Sequence, residues 1–206
     1  MSKQVLIMPT PPGTRGVYQV ADHTGAMSTV GASDILLAFR WTDPSYFAVL
    51  DLVTASVGVV TEVTTDVISG LELNLVTDFF GNYQGGRSLL GASTTHENKL
   101  KTDFPVSLAA SIRISETIAL DLPLVAVPTV SDLPLVEILY GTGPTTDIGL
   151  MALAQTTLFL RDTNAFPLVM STDEGFVIRS SLNTPDSGTL RFSFGIRWIE
   201  MTKQVF

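Results

Sequence analysis

Two histidines, His23 and His96, are the first candidates for proton transfer in this sequence of 206 residues. Each sits among polar, threonine-rich neighbours, in Asp22-His23-Thr24 and Thr95-His96-Glu97. A serine hydrolase needs its nucleophile on a sharp elbow beside an oriented imidazole, and no Gly-x-Ser-x-Gly sequence is present. Both histidines therefore read as surface residues, with His96 the weaker-than-usual candidate for a ligand or proton switch.

Thirteen Asp and seven Glu invite a calcium or glycosidase reading. A calcium loop clusters several oxygen ligands in a short stretch. The nearest approaches are Asp162-Thr-Asn164 and Thr172-Asp-Glu-Gly175, and both read as turns. Two carboxylates from distant loops can still meet as a glycosidase pair, so that alternative stays open. The stretch from Gly81 to Gly85-Gly86 lacks the Lys and Ser/Thr of a phosphate-binding loop and does not open a helix. Seventeen aromatic residues fall at strand spacing with few lysines nearby, which marks core rather than a base-stacking platform. No cofactor or metal is implied.

Composition points from chemistry towards surfaces. Hydrophobic residues make up 45% and charged residues 16%, so a core is easily built and much surface is expected to face other proteins. The net charge of -8, with four lysines, disfavours binding to nucleic acid or to an anionic membrane. Absence of cysteine excludes disulfides and thiolate zinc sites. The start Met1-Ser-Lys-Gln lacks an apolar leader, and no apolar run is long enough for a membrane helix, so synthesis in a cytosol is expected.

The elements read as strands. Leu190, Phe192, Phe194, Ile196 and Trp198 alternate with Arg191, Ser193, Gly195 and Arg197, a period of two with one face buried. Ile35, Leu37, Phe39 and Trp41 share one face, with Leu36, Ala38 and Arg40 on the other. Thr42-Asp43-Pro44-Ser45 is a turn capped by Asp43. Strands are expected from Phe47 to Val60, with a bend at Gly58, and over 67–80, 107–115, 158–160, 168–170 and 176–180. A short helix is expected over 145–157, and Thr95 to Leu100 reads as a helical turn or a polar loop. Asp121-Leu-Pro-Leu-Val125, Asp132-Leu-Pro-Leu-Val136 and Phe166-Pro-Leu-Val169 mark strand starts or edges, because proline cannot donate to a ladder. Roughly eight to ten strands at eight-to-twelve-residue spacing predict an all-β, antiparallel β-sandwich of jelly-roll type over 34–206. Residues 1–33, broken by Pro9, Pro11, Pro12 and Gly13, read as an extended N-terminal arm. That arm either packs on its own domain or adds to a neighbour's sheet edge. Arg179, Arg191 and Arg197 project from the polar faces of the last two strands. Paired as a hairpin, those strands would carry a cationic stripe for an acidic partner.

The run from Phe166 to Arg179, with Asp173-Glu-Gly-Phe-Val-Ile-Arg179, and the run Gly188-Thr-Leu to Trp198-Ile-Glu200 resemble the endings of small tailed-bacteriophage virion proteins. Ile35-Leu-Leu-Ala-Phe-Arg-Trp41 resembles their early strand, and Gly85-Gly86 with Lys99-Leu-Lys-Thr102 their middle. The likeness spans about residues 34 to 200 and departs from the pattern in the longer 121–157 region. It implies a β-sandwich virion component on a head, a head-to-tail junction or a tail.

These readings converge on a non-enzymatic capsid-associated cement or decoration subunit in the virion, made in the host cytoplasm. Its expected partners are other virion proteins and further copies of itself. The expected contacts are the arm (Val5, Leu6, Ile7, Val17 and Tyr18), the Pro-rich edge (Leu122, Leu124, Leu133 and Leu135), and Arg179, Arg191 and Arg197. The alternative is a tail, fibre or head-to-tail component for host attachment, which expects exposed loop aromatics such as Tyr83. A sandwich-fold glycan hydrolase with two facing carboxylates is a further rival.

Overall fold

A computed structural model describes residues 13–79, 81–90, 97–99, 104–123, 127–132, 134–142, 151–161 and 167–203. Among them there are strands and connections and no α-helix. The first four strands are β1 (Thr14–His23), β2 (Ile35–Trp41), β3 (Tyr46–Thr61) and β4 (Val67–Thr77). Short strands follow: β5 (Arg87–Ser88), β6 (Glu97–Lys99), β7 (Ser111–Ile114) and β8 (Thr129–Val130). The last five are β9 (Val136–Thr142), β10 (Met151–Leu160), β11 (Leu168–Met170), β12 (Glu174–Leu182) and β13 (Thr189–Thr202).

They form two antiparallel sheets packed face to face, a β-sandwich. Sheet A runs β10-β3-β13-β1-β6, with β11 also on β3. Sheet B runs β5-β7-β2-β12-β4-β8, with β9 also on β4. Inward side chains from both sheets make one core. The alternation of β13 behaves as its sequence requires: Leu190, Phe192, Phe194, Ile196 and Trp198 are all buried. Phe39 stacks on its cross-strand partner Phe176 within sheet B at 5.2 Å and reaches across to sheet A, edge-on to Trp198 at 5.4 Å. Tyr18 stacks on the far side of Trp198 at 5.7 Å. Such pairs add about 0.5–1.5 kcal/mol each beyond the area they bury.

Bulges revise the simple alternation. Ile178 pairs with Leu37 and Arg179 with Ile35, so Leu36 is the extra residue on β2. It turns into the core, while Ile35 joins Ala38 on the outer face. The bend or bulge expected at Gly58 is not seen against β13, where Gly58 pairs in register with Arg191, but against β10 the register shifts between Gly58 and Val57. β3 bulges against β13 at Asp51 and Val60 instead. A second, smaller apolar cluster forms outside sheet B, where Phe79, Tyr83 and Leu120 fold over Ile35, Ala38, Val76 and Val177.

Several expected elements are corrected. Of the helix expected over 145–157, residues 145–150 lie outside the described residues and 151–157 form β10, because the open edge of β3 supplies hydrogen-bond partners that outweigh local propensity. Glu97–Lys99 is a strand on β1 rather than a helical turn. Within the expected arm, Thr14–His23 is a strand of the chain's own sheet A, paired with β13. Residues 24–34 then cross to sheet B. The last two strands are not a hairpin: β12 lies in sheet B and β13 in sheet A. The two crossovers are laced together, Thr184 N–H donating to Val30 O at 2.9 Å and Ala32 N–H to Asn183 Oδ1 at 2.7 Å. Two of the three Pro-marked segments enter strands: Pro134 precedes β9 and Pro167 precedes β11, while Pro123 leads into residues outside those described.

Gly188 closes the second crossover with φ +77°, and a Cβ there would lie 2.3 Å from Glu62 O. Gly188→Ala should lower the unfolding free energy by roughly 1–3 kcal/mol from backbone strain alone. Gly141→Ala, whose Cβ would meet nothing within 4 Å among the described residues, should stay within about 0.5 kcal/mol of wild type. Urea unfolding midpoints for the two variants check both.

Candidate interaction surface

The expected contact residues scatter. Tyr18 is fully buried, and its hydroxyl donates to Pro105 O at 2.9 Å, so it offers nothing to a partner. Val17 is half-buried against an outer-face cluster of Val49, Ile199 and Met201. Arg179 lies outside sheet B and pairs with Glu72, its cross-strand neighbour. Arg197 lies outside sheet A and pairs with Asp51, which also holds Arg161 at 3.2 Å. Arg191 is exposed on that same face. The arginine stripe is therefore split between opposite sides of the sandwich, because the strands that carry it belong to different sheets. Leu122 and Leu135 are exposed, as expected of an edge segment. Val5, Leu6, Ile7, Leu124 and Leu133 lie outside the described residues, as do His96, Asp162 and Asn164.

The possible chemical sites are equally dispersed. His23 Nδ1 lies 2.8 Å from Thr24 O. Asp173 shapes the turn into β12 with φ +62° and pairs with Arg40 at 3.3 Å. Among the described residues no three His, Cys, Asp or Glu side chains converge on a possible metal position. Tyr83 is buried under the loop it belongs to, and burial pushes its phenol up to about 12.

What does converge is apolar surface. Four of the eight large, exposed hydrophobic residues among those described, Leu122, Val127, Leu135 and Leu139, come from the single stretch 121–140. Two more, Ile68 and Leu182, adjoin it. β4 turns Leu71 and Leu73 inward, so Ile68 and Gly70 face out. β9 turns Ile138 and Tyr140 inward, so Leu135, Leu139 and Gly141 face out. Register places Gly70 between Leu139 on one side and Leu182 on the other, and Ile68 opposite Gly141. The alternation of β9 was readable, but Ile68 and Leu182 reach the patch through pairing that no local pattern reports.

A second concave surface lies on the outer face of sheet A. Two hollows of about 340 and about 190 Å³ share Ala21, Thr54, Gln155 and Gly195. Their walls mix polar residues, including His23, Ser193 and Arg197, with apolar ones such as Ala55 and Leu52, and contain no ring from Trp or Tyr. The bare floor at Gly195 was the one hint of it in the sequence.

Sequence reasoning also missed Glu200. It ends the alternation of β13 facing inward and is fully buried. Its Oε1 accepts from Ser107 Oγ at 2.6 Å and from Leu108 N–H at 2.8 Å, and its Oε2 meets Arg15. Burial pushes its carboxyl above the usual range, and the bonds from Ser107, Leu108 and Arg15 offset part of that rise. A raised folded-state value means the native chain holds this proton more tightly than the unfolded chain does. The group's contribution is therefore complete below about 4.5 and is lost as pH rises through the folded value. The stability of wild type minus that of Glu200→Gln should accordingly increase as pH falls towards 4.5 in urea titrations. A difference that grows with rising pH would show that Arg15 outweighs burial. Comparison with known protein families, curated proteins and solved structures returns no match for the chain.

Proposed function

We propose that the chain is a non-enzymatic structural protein of a tailed-bacteriophage virion, a cement or decoration subunit that stabilises the head through protein–protein contacts. The observation that carries this reading is the apolar surface of the 121–140 stretch on a chain with a net charge of -8. A soluble monomer gains nothing from four exposed large hydrophobic residues in one edge segment, whereas an assembly subunit buries them. The virion setting comes from the resemblance carried by Asp173 to Arg179 and Gly188 to Glu200.

Strand order supports reading the sandwich as a jelly roll. β1-β13-β3-β10 faces β2-β12-β4-β9, the arrangement produced when two Greek keys wrap around each other. That architecture is shared by capsid proteins and by many unrelated folds of other function, so it is supporting analogy only. The mechanism is burial of apolar edge surface between coat subunits. An interface of standard size buries roughly 1,600 Å², and many weak copies on one shell act together.

Host attachment as a tail or fibre component is the second reading, favoured by the trough over Gly195 with its mixed polar and apolar walls. Burial of Tyr83 removes the exposed loop aromatic that this reading expected. Copy number per particle separates the two, since a shell subunit covers the head and an attachment protein is confined to the tail.

Particles assembled without the chain should lose heat resistance, and added purified protein should restore it. Protein carrying Leu122→Glu with Val127→Glu should melt like wild type yet fail to restore resistance. Undiminished heat resistance in particles that lack the chain would end the cement role.

A further inference from the structure

We propose that the loop carrying Phe79 and Tyr83 is a lid that opens on its own, uncovering an apolar floor on the outer face of sheet B while both sheets stay paired. The inference goes beyond the assembly reading and does not depend on it.

The floor is made by Ile35 and Ala38 of β2, Val76 of β4 and Val177 of β12, with Leu120 bridged to Ile35 at its margin. Phe79 and Tyr83 close over it, their rings edge to face at 5.5 Å. This cluster is separate from the core between the sheets. Lifting the two rings therefore leaves that core filled and the pairing of β2, β12 and β4 intact.

The closed lid carries a cost that opening relieves. Tyr83 is 1% exposed, and its hydroxyl has no hydrogen-bond partner. Buried hydroxyls nearly always find one, because water supplies it in the open. The Tyr83 ring gains from burial while its hydroxyl loses, so the two ends of one side chain pull in opposite directions. Asp78, at the entry to the loop, adds backbone strain by holding φ +57° without being glycine.

A polar clamp at each end opposes this. At the first, Arg40 Nε–H donates to Phe79 O at 2.6 Å, and Phe79 N–H donates to Asp173 O at 2.7 Å. At the second, Arg113 Nε–H donates to Gly85 O at 2.9 Å. There Gln84 also exchanges two backbone bonds with Asp121, at 2.9 and 3.1 Å. All of these lie outside the ladders of the two sheets, and the Gln84–Asp121 bridge stands alone. They can part together without unfolding either sheet, which is how a segment of low local stability behaves. Gly85 and Gly86, at φ +70° and +56°, form the far hinge.

The test is native-state hydrogen exchange, read residue by residue by NMR across low urea concentrations. The amides of Phe79, Gln84 and Asp121 should exchange through an opening that urea barely changes, well before those of Val177 and Ile178 in the floor strand. Replacing a buried tyrosine by phenylalanine ordinarily removes a hydrogen bond and loosens its surroundings. Here Tyr83→Phe should do the reverse, slowing exchange of the three lid amides by about fivefold or more. Arg113→Gln, which releases the second clamp, should speed it by about tenfold or more and leave Val177 and Ile178 unchanged. Lid amides that exchange only with the floor strand, a Tyr83→Phe lid that opens as fast as wild type or faster, or a lid indifferent to Arg113→Gln would each overturn the inference.

Discussion

The last long strand of the chain must lie between the first and the third. β13 pairs with β3 from Thr189 to Thr202 and with β1 from Thr14 to His23, so sheet A has no continuity without it. Its inward residues, from Leu190 to Trp198, fill the space between the sheets and meet Phe39 and Tyr18 there. Where the aromatic series ends, Glu200 continues inward and turns the strand's end into a polar anchor. One buried carboxylate ties β13 to Arg15 on β1 and to the loop at Ser107 and Leu108. A buried charge of this kind is a costly way to gain stability, and its value lies in fixing which segments meet.

The fold was legible where one residue decides one local outcome. Inward alternation on β13 needs nothing but side-chain period, and the Asp43 cap needs four residues, so both could be read directly. Legibility failed where the deciding partner is distant. Ala152 to Gln155 leans towards helix by propensity, and the free edge of β3 overrides it. A single extra residue at Leu36 reverses the facing of Ile35, and bulges leave little trace in composition. The same limit governs the surface. Leu122 and Leu135 could be picked from their Pro-marked segment. The split of Arg179 from Arg191 could not, because a turn such as Thr184 to Gly188 serves a hairpin and a crossover equally well.

The two outer faces have different characters. Outside sheet A the small residues Ala21, Thr54 and Gly195 leave a trough, with the Asp51 carboxylate shared between Arg161 and Arg197 at one end. Outside sheet B, Arg179 is neutralised by Glu72, and apolar side chains crowd the β4–β9 end. The outer face of sheet A is not wholly wet, since Val17 packs there on Val49, Ile199 and Met201.

The pairing of β1 with β13 also has a consequence for biosynthesis. β1 leaves the ribosome long before its main partner, β13, because the whole of β2 to β12 lies between them. Until residues 189–202 emerge, Tyr18 and Val20 have no Trp198 or Ile196 against which to pack. Pairing of β1 is thereby postponed until β13 has been made, and the nascent chain must keep an apolar strand unpaired until then.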